Sequence, residues 1–154
     1  MALNYVLNLE ANIKPVEALQ IISKSLGLEW HKRDSLAGLG VVVYATQKSQ
    51  IGQEVIAEEF GFQPNIVVDF RINPKDAYKE GKDTLIKGTF DLLDRVQGDA
   101  ILLFNGEQPV LQRIKGKLKL YSGWEATAIT ILHDRKLPYE LEQPQSSLKN
   151  IQVR

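Results

Sequence analysis

The stretch GDAILLFNGEQPVLQRIKGKLKLYSGW, residues 98–124, constrains the fold more than any other part of this chain. Residues 99–104 form a nearly unbroken apolar run, the pattern of a strand covered on both faces. Asn105-Gly106 follows, a pair that tolerates positive φ and suits a two-residue hairpin. Lys115-Gly116 marks a second reversal. Three strands joined by two tight turns are therefore predicted.

A long amphipathic helix is predicted just before them, over residues 74–96, opened by the cap-plus-proline pair Asn73-Pro74. Its apolar face carries Tyr78, Leu85, Ile86, Phe90, Leu92, Leu93 and Val96. On the outer face Lys79, Asp83 and Lys87, and Asp91 with Arg95, stand at four-residue spacing. Such pairs contribute about 0.2–0.5 kcal/mol each, whereas burying a large apolar side chain contributes about 1.5–3 kcal/mol. The apolar face decides where the helix goes. Gly81 and Gly88 lie on that face and cost about 1 kcal/mol each relative to alanine, a cost explained by close approach to a sheet.

Upstream, Tyr5, Leu7 and Leu9 alternate with polar residues as in a half-buried strand. Pro15 opens a helix with Val16, Leu19, Ile22 and Leu26 at helical spacing, and Gly27 closes it. Leu28 and Trp30 belong to a short extended piece, residues 34–38 read as a polar turn, and residues 39–46 are strongly strand-like. Ser49 caps a short helix with Ile51, Val55, Ile56 and Phe60, ended by Gly61. Ile66, Val68, Phe70 and Ile72 alternate cleanly, and a last strand is expected at residues 126–132. The fold class is therefore α+β: a single, mainly antiparallel sheet with two main helices packed on one face. A ferredoxin-like core with extra carboxy-terminal strands is one way to build it. Residues 1–141 read as one domain and the polar residues 142–154 as a loose tail.

Composition narrows the function classes. Lys plus Arg and Asp plus Glu both number 19 in 154 residues, so no global field draws in nucleic acid or an anionic membrane. The chain has no cysteine, which removes disulfides, thiol catalysis and thiolate metal sites and suits a reducing compartment. The amino terminus lacks the pattern of a secretory signal, and no apolar run nears the roughly 20 residues of a membrane span. A cytoplasmic protein is expected.

Few residues suggest chemistry. His31 and His133 stand apart, without the spacing of a metal motif, and His133-Asp134 reads poorly as an oriented base. No metal and no cofactor is expected. Nucleophile elbows are absent, and Gly38-Leu39-Gly40 precedes a strand instead of joining a strand to a helix, the wrong context for a phosphate loop. Candidate binding residues fall in two groups. Asp69 and Arg71 share the outward side of one strand, and Glu107 sits at a hairpin tip. Arg113, Lys115, Lys117 and Lys119 follow at two-residue spacing, with Tyr121 and Trp124 close behind. Cations beside aromatics can track phosphates and stack bases, but lysines on edge strands also serve simply to block unwanted pairing.

Residues 74–124, a third of the chain, resemble the carboxy-terminal half of some bacterial toxin-immunity proteins of the polymorphic-toxin type. There a strand of the form DALLLFNGE-PVLLR follows a similar helix and continues into a hairpin. The matching positions are Asp99, Asn105, Gly106, Glu107, Val110 and Arg113. The resemblance implies a small, non-catalytic cytosolic protein that binds and neutralises a cognate toxin, and it carries over no partner-contacting residue.

Three readings follow. A non-catalytic protein-binding module, immunity-like, is favoured over an enzyme. The first alternative is a small-ligand-binding or enzymatic domain using the open sheet face with Asp69, Arg71 and Glu107. The second is a weak nucleic-acid binder acting through the last hairpin.

Overall fold

A computed structural model describes residues 2–121 and 123–142. In chain order the elements are β1 (Leu3–Leu9), α1 (Pro15–Leu26), β2 (Glu29–Lys32), β3 (Ser35–Gly38), β4 (Val41–Gln47), α2 (Gln50–Phe60) and β5 (Ile66–Ile72). After these come α3 (Tyr78–Arg95), β6 (Ala100–Phe104), β7 (Gln108–Ile114), β8 (Lys117–Tyr121), α4 (Glu125–Asp134) and β9 (Glu140–Glu142). The strands form one sheet in the order β2-β3-β4-β5-β1-β6-β7-β8-β9, antiparallel throughout except for β8 and β9. The α+β class and the mainly antiparallel sheet are thus as the sequence implies. The four middle strands, β4-β5-β1-β6, with α1 and α3 between them in the chain, have the split β-α-β arrangement of a ferredoxin-like core.

Register explains which residues enter the core. Tyr5 of β1 stands opposite Phe70 of β5 and Phe104 of β6, and Leu7 opposite Val68 and Leu102. Partners in an antiparallel ladder share a face. These residues therefore line one side of the sheet, where Leu19 and Ile22 of α1, Leu85, Phe90 and Leu92 of α3, and Leu132 of α4 bury against them. The neighbours of these strand residues point the other way. Ile101 and Leu103 of β6 form a second, smaller cluster with Ile56 of α2 and with Phe62. So α1, α3 and α4 cover one face, and α2 covers part of the other.

Both expected reversals have the left-handed backbone that their residues favour. Asn105 and Gly106 have φ of 54° and 75°, and the Glu107 amide donates to the Phe104 carbonyl at 3.0 Å. Lys115 and Gly116 have φ of 51° and 78°. The tight packing expected of Gly81 is also present. A Cβ there would lie 2.5 Å from the Gly40 carbonyl oxygen, in the turn between β3 and β4.

Four expectations are corrected. Residues 126–132 lie in helix α4, not in a strand. Their alternation of β-branched residues favours a strand, but Ala128 and Leu132, four apart, are both buried. A parallel neighbour for β8 also requires a crossover, which a helix supplies. Arg135 fixes α4 to α3, pairing with Asp91 at 2.8 Å and with Asp94. Second, Glu140–Glu142 form a strand, β9, that no local pattern in the sequence marks. Third, residues 35–38 are strand β3, and the turn before it is only Arg33-Asp34. Fourth, α3 begins at Tyr78, four residues after Pro74. Asn73 does cap, but it accepts from the amides of Lys75 and Asp76 in a separate turn, and Ala77 at φ 54° breaks the backbone before the helix starts. The polar residues beyond Glu142 lie outside the described residues.

Candidate functional site

The nine sequence-selected residues separate into three places. Asp69 and Arg71 lie on the sheet face opposite α1 and α3, with Nε of Arg71 3.4 Å from the Asp69 carboxylate. The Arg71 guanidinium also stands 4.7 Å from the centre of the Tyr44 ring, since Tyr44 pairs directly with Asp69 across β4 and β5. Burial raises the Asp69 pKa above its ordinary value, and the Arg71 charge opposes that shift. One Asp69 oxygen is buried with no partner among the described residues.

Arg113 is drawn inward. Its Nη1 donates to the Leu93 carbonyl at 2.7 Å and its Nη2 to the carbonyls of Val96 and Gly98, each at 2.8 Å. These are the open carbonyls at and just beyond the end of α3, which have no helical partner of their own. Burial lowers the Arg113 pKa, while the carboxylates of Asp99 and Asp94 act in the opposite sense. Arg113 is a cap.

The remaining hairpin cations do not join it in one stripe. A two-residue turn shifts the alternation by one, so Arg113 stands opposite Leu118, whereas Lys117 and Lys119 stand opposite Ile114 and Gln112. Lys115 occupies the turn itself, its amide donating to Asp99 at 2.8 Å. Lys119 is held by Glu142 at 2.9 Å, which raises its pKa.

The third place brings Glu107, Tyr121 and Trp124 together. They line an open groove of about 860 Å³ where the β6–β7 turn and the end of β8 meet the carboxy-terminal end of α2. The Tyr5 ring is central to its aromatic wall, with its centre 4.9 Å from that of Phe104 and 5.4 Å, edge-on, from that of Trp124. The Tyr121 hydroxyl donates to Gln112 at 3.3 Å. From α2 come Glu59 and Phe60. Of the three carboxylates in the lining, Glu142 is paired with Lys119, while Glu59 and Glu107 have no ion pair among the described residues. No Lys, Arg or His lines the groove. Tyr5, Glu59, Phe60 and Phe104 were not selected from the sequence. They lie up to about a hundred residues away along the chain, and only the sheet order shows that they converge.

Among the described residues no group of three or more His, Cys, Asp or Glu side chains is placed to hold a metal ion. Within the same residues, no helix is long and apolar enough to cross a membrane.

A family model described as SitI3-like matches residues 3–127. The chain belongs to the SitI3-like family. The matched span runs from the first residue of β1 into the start of α4, so it includes every strand except β9. It also contains the Glu59, Glu107 and Trp124 that line the groove. No match is found among curated proteins or among solved structures.

Proposed function

We propose that this protein is a non-catalytic binding module that neutralises a cognate toxin by forming a stoichiometric complex with it in the cytoplasm. The observation that carries this reading is the SitI3-like match across residues 3–127, a family name of the kind given to immunity proteins of polymorphic toxin systems. The architecture is consistent with it. The helix-covered face buries a continuous core, and the groove leaves Phe60, Phe104 and Trp124 partly exposed, aromatic side chains of the kind that anchor protein interfaces.

The test is capture from the native cell on the immobilised full chain, followed by mass spectrometry and by co-expression. A single abundant protein recovered in one-to-one ratio, whose toxicity to the cell is relieved by this chain, supports the reading. Recovery of RNA, of many proteins in unequal amounts, or of nothing would overturn it.

A further inference from the structure

We propose that the groove at the carboxy-terminal end of α2 is the docking site for a cationic, arginine-bearing segment of the protein partner; this names the chemistry of the partner and rests on the binding-module reading. Three observations point the same way. The first is the lining: aromatic rings with Glu59 and Glu107, neither of which has an ion pair among the described residues, and no Lys, Arg or His, Lys82 standing against Trp124 from outside the lining. In a chain whose charges sum to zero, that is a local excess of one sign, which selects a partner of the opposite sign.

The second concerns the aromatic wall. The Lys82 ammonium already sits 4.6 Å from the centre of the Trp124 ring, so this wall accepts a cation within the molecule itself. A guanidinium is planar and less strongly hydrated than an ammonium, and it combines stacking on a ring with a forked hydrogen bond to a carboxylate. Phe60 and Phe104, both partly exposed, offer rings, and Glu59 and Glu107 offer carboxylates, within one groove.

The third is the surface that leads there. Helix α2 contains Glu54, Glu58 and Glu59 and no Lys, Arg or His. On its exposed side Ile51 and Val55 are 76% and 54% accessible, and at the same four-residue spacing the next residue is Glu59. Two apolar side chains thus mark a track that ends in the acidic groove. A segment with apolar residues followed by arginine would satisfy both parts.

Tryptophan fluorescence tests this directly, because Trp124 lines the groove and the only other tryptophan, Trp30, is on the far edge strand β2. In the Trp30→Phe chain the expected result is a saturable change in Trp124 emission on titration with capped hexa-arginine, and none with hexa-glutamate. Glu59→Gln with Glu107→Gln should weaken binding about tenfold, the loss of two partly solvated charge pairs. Glu29→Gln, which removes an exposed carboxylate on β2, should leave it unchanged. No saturable change, equal binding by the doubly substituted chain, or equal affinity for spermidine would overturn the assignment. The toxin captured above separates the two claims. If it binds the doubly substituted chain as tightly as the parent, the groove assignment fails and the module reading stands. If no toxin is captured, the module reading fails while the peptide titration still decides the groove.

Discussion

Arg113 illustrates how one side chain can serve architecture while its sequence context suggests binding. Its guanidinium donates to three carbonyls at and just beyond the end of α3, tying that helix to β7. Arg113→Met keeps the length of the stem but leaves those carbonyls without donors. The expected loss is about 3 kcal/mol, the upper end for a single bond to a charged group, because the three acceptors are only partly buried and water replaces part of what the guanidinium supplied. Arg113→Lys should recover little, because an ammonium cannot reproduce the fork. Urea unfolding of the three chains measures both effects, and a lysine variant as stable as the parent would contradict the cap. Tyr5 offers a second residue-level check. Burial, with a smaller contribution from Tyr78, raises its pKa from the ordinary 10.0 to about 12. Between those values the unfolded chain releases the phenol proton and the folded chain keeps it. The stabilising contribution is therefore complete below pH 10 and falls as pH rises through the window. Tyr5→Phe should flatten the decline in stability between pH 10 and 12, leaving a residual slope from Tyr121, which burial shifts in the same direction. Identical slopes in parent and variant would show that Tyr5 ionises freely in the fold.

At the level of elements, α3 and its glycines show a contest between propensity and packing. Glycine to alanine within a helix gains about 1 kcal/mol of propensity. At Gly81 the added Cβ would stand 2.5 Å from the backbone oxygen of Gly40, which cannot move without displacing the β3–β4 turn. At Gly88 it would stand 3.2 Å from a Phe70 ring carbon, a milder contact with a side chain that a shift of a few tenths of an ångström relieves. Gly81→Ala should therefore lower the melting temperature despite its better helix former, by about 1–3 kcal/mol in stability, and Gly88→Ala should cost less or stabilise. Equal effects at the two sites would refute the close contact with the turn. The same helix shows what was legible beforehand. Its apolar stripe from Leu85 to Leu93, the hairpins at Asn105-Gly106 and Lys115-Gly116, and the capping of α1 by Pro15 and Gly27 are local signals, and each is found where its residues place it, whereas Tyr78, at the start of the stripe, is exposed. Helix α4 was not legible, because its β-branched residues alternate like a strand and only the packing of Ala128 and Leu132 decides otherwise. The site was half legible. Glu107, Tyr121 and Trp124 stand out from the sequence, but Tyr5, Glu59 and Phe60 join them only through strand order, which no local pattern encodes.

At the scale of the molecule, the nine-stranded open sheet of the described residues raises the question of its edges. An unpaired strand presents donors and acceptors to any other chain, and proteins limit this with charge, bulges and short strands. The two edges use these devices differently. Among the described residues the β9 edge is three residues long, with Glu140 and Glu142 flanking Leu141. The β2 edge is exposed at all four positions, carries Glu29, His31 and Lys32, and has a register irregularity against β3 between Trp30 and Lys32. Charge is the device there that substitution can remove without touching the core, because no β2 side chain is buried. Glu29→Val with Lys32→Val leaves an edge reading Val-Trp-His-Val, with high β propensity and no fixed charge. This chain should melt within about 1 kcal/mol of the parent, as exposed positions usually do, yet its mass by light scattering should rise with protein concentration more steeply than the parent's. Such a result separates the stability of the fold from the protection of its boundary. If the doubly substituted chain keeps the parent's mass at every concentration, charge is not what guards β2, and the short length of the strand and its register irregularity between Trp30 and Lys32 are left as the devices that keep a partner strand away.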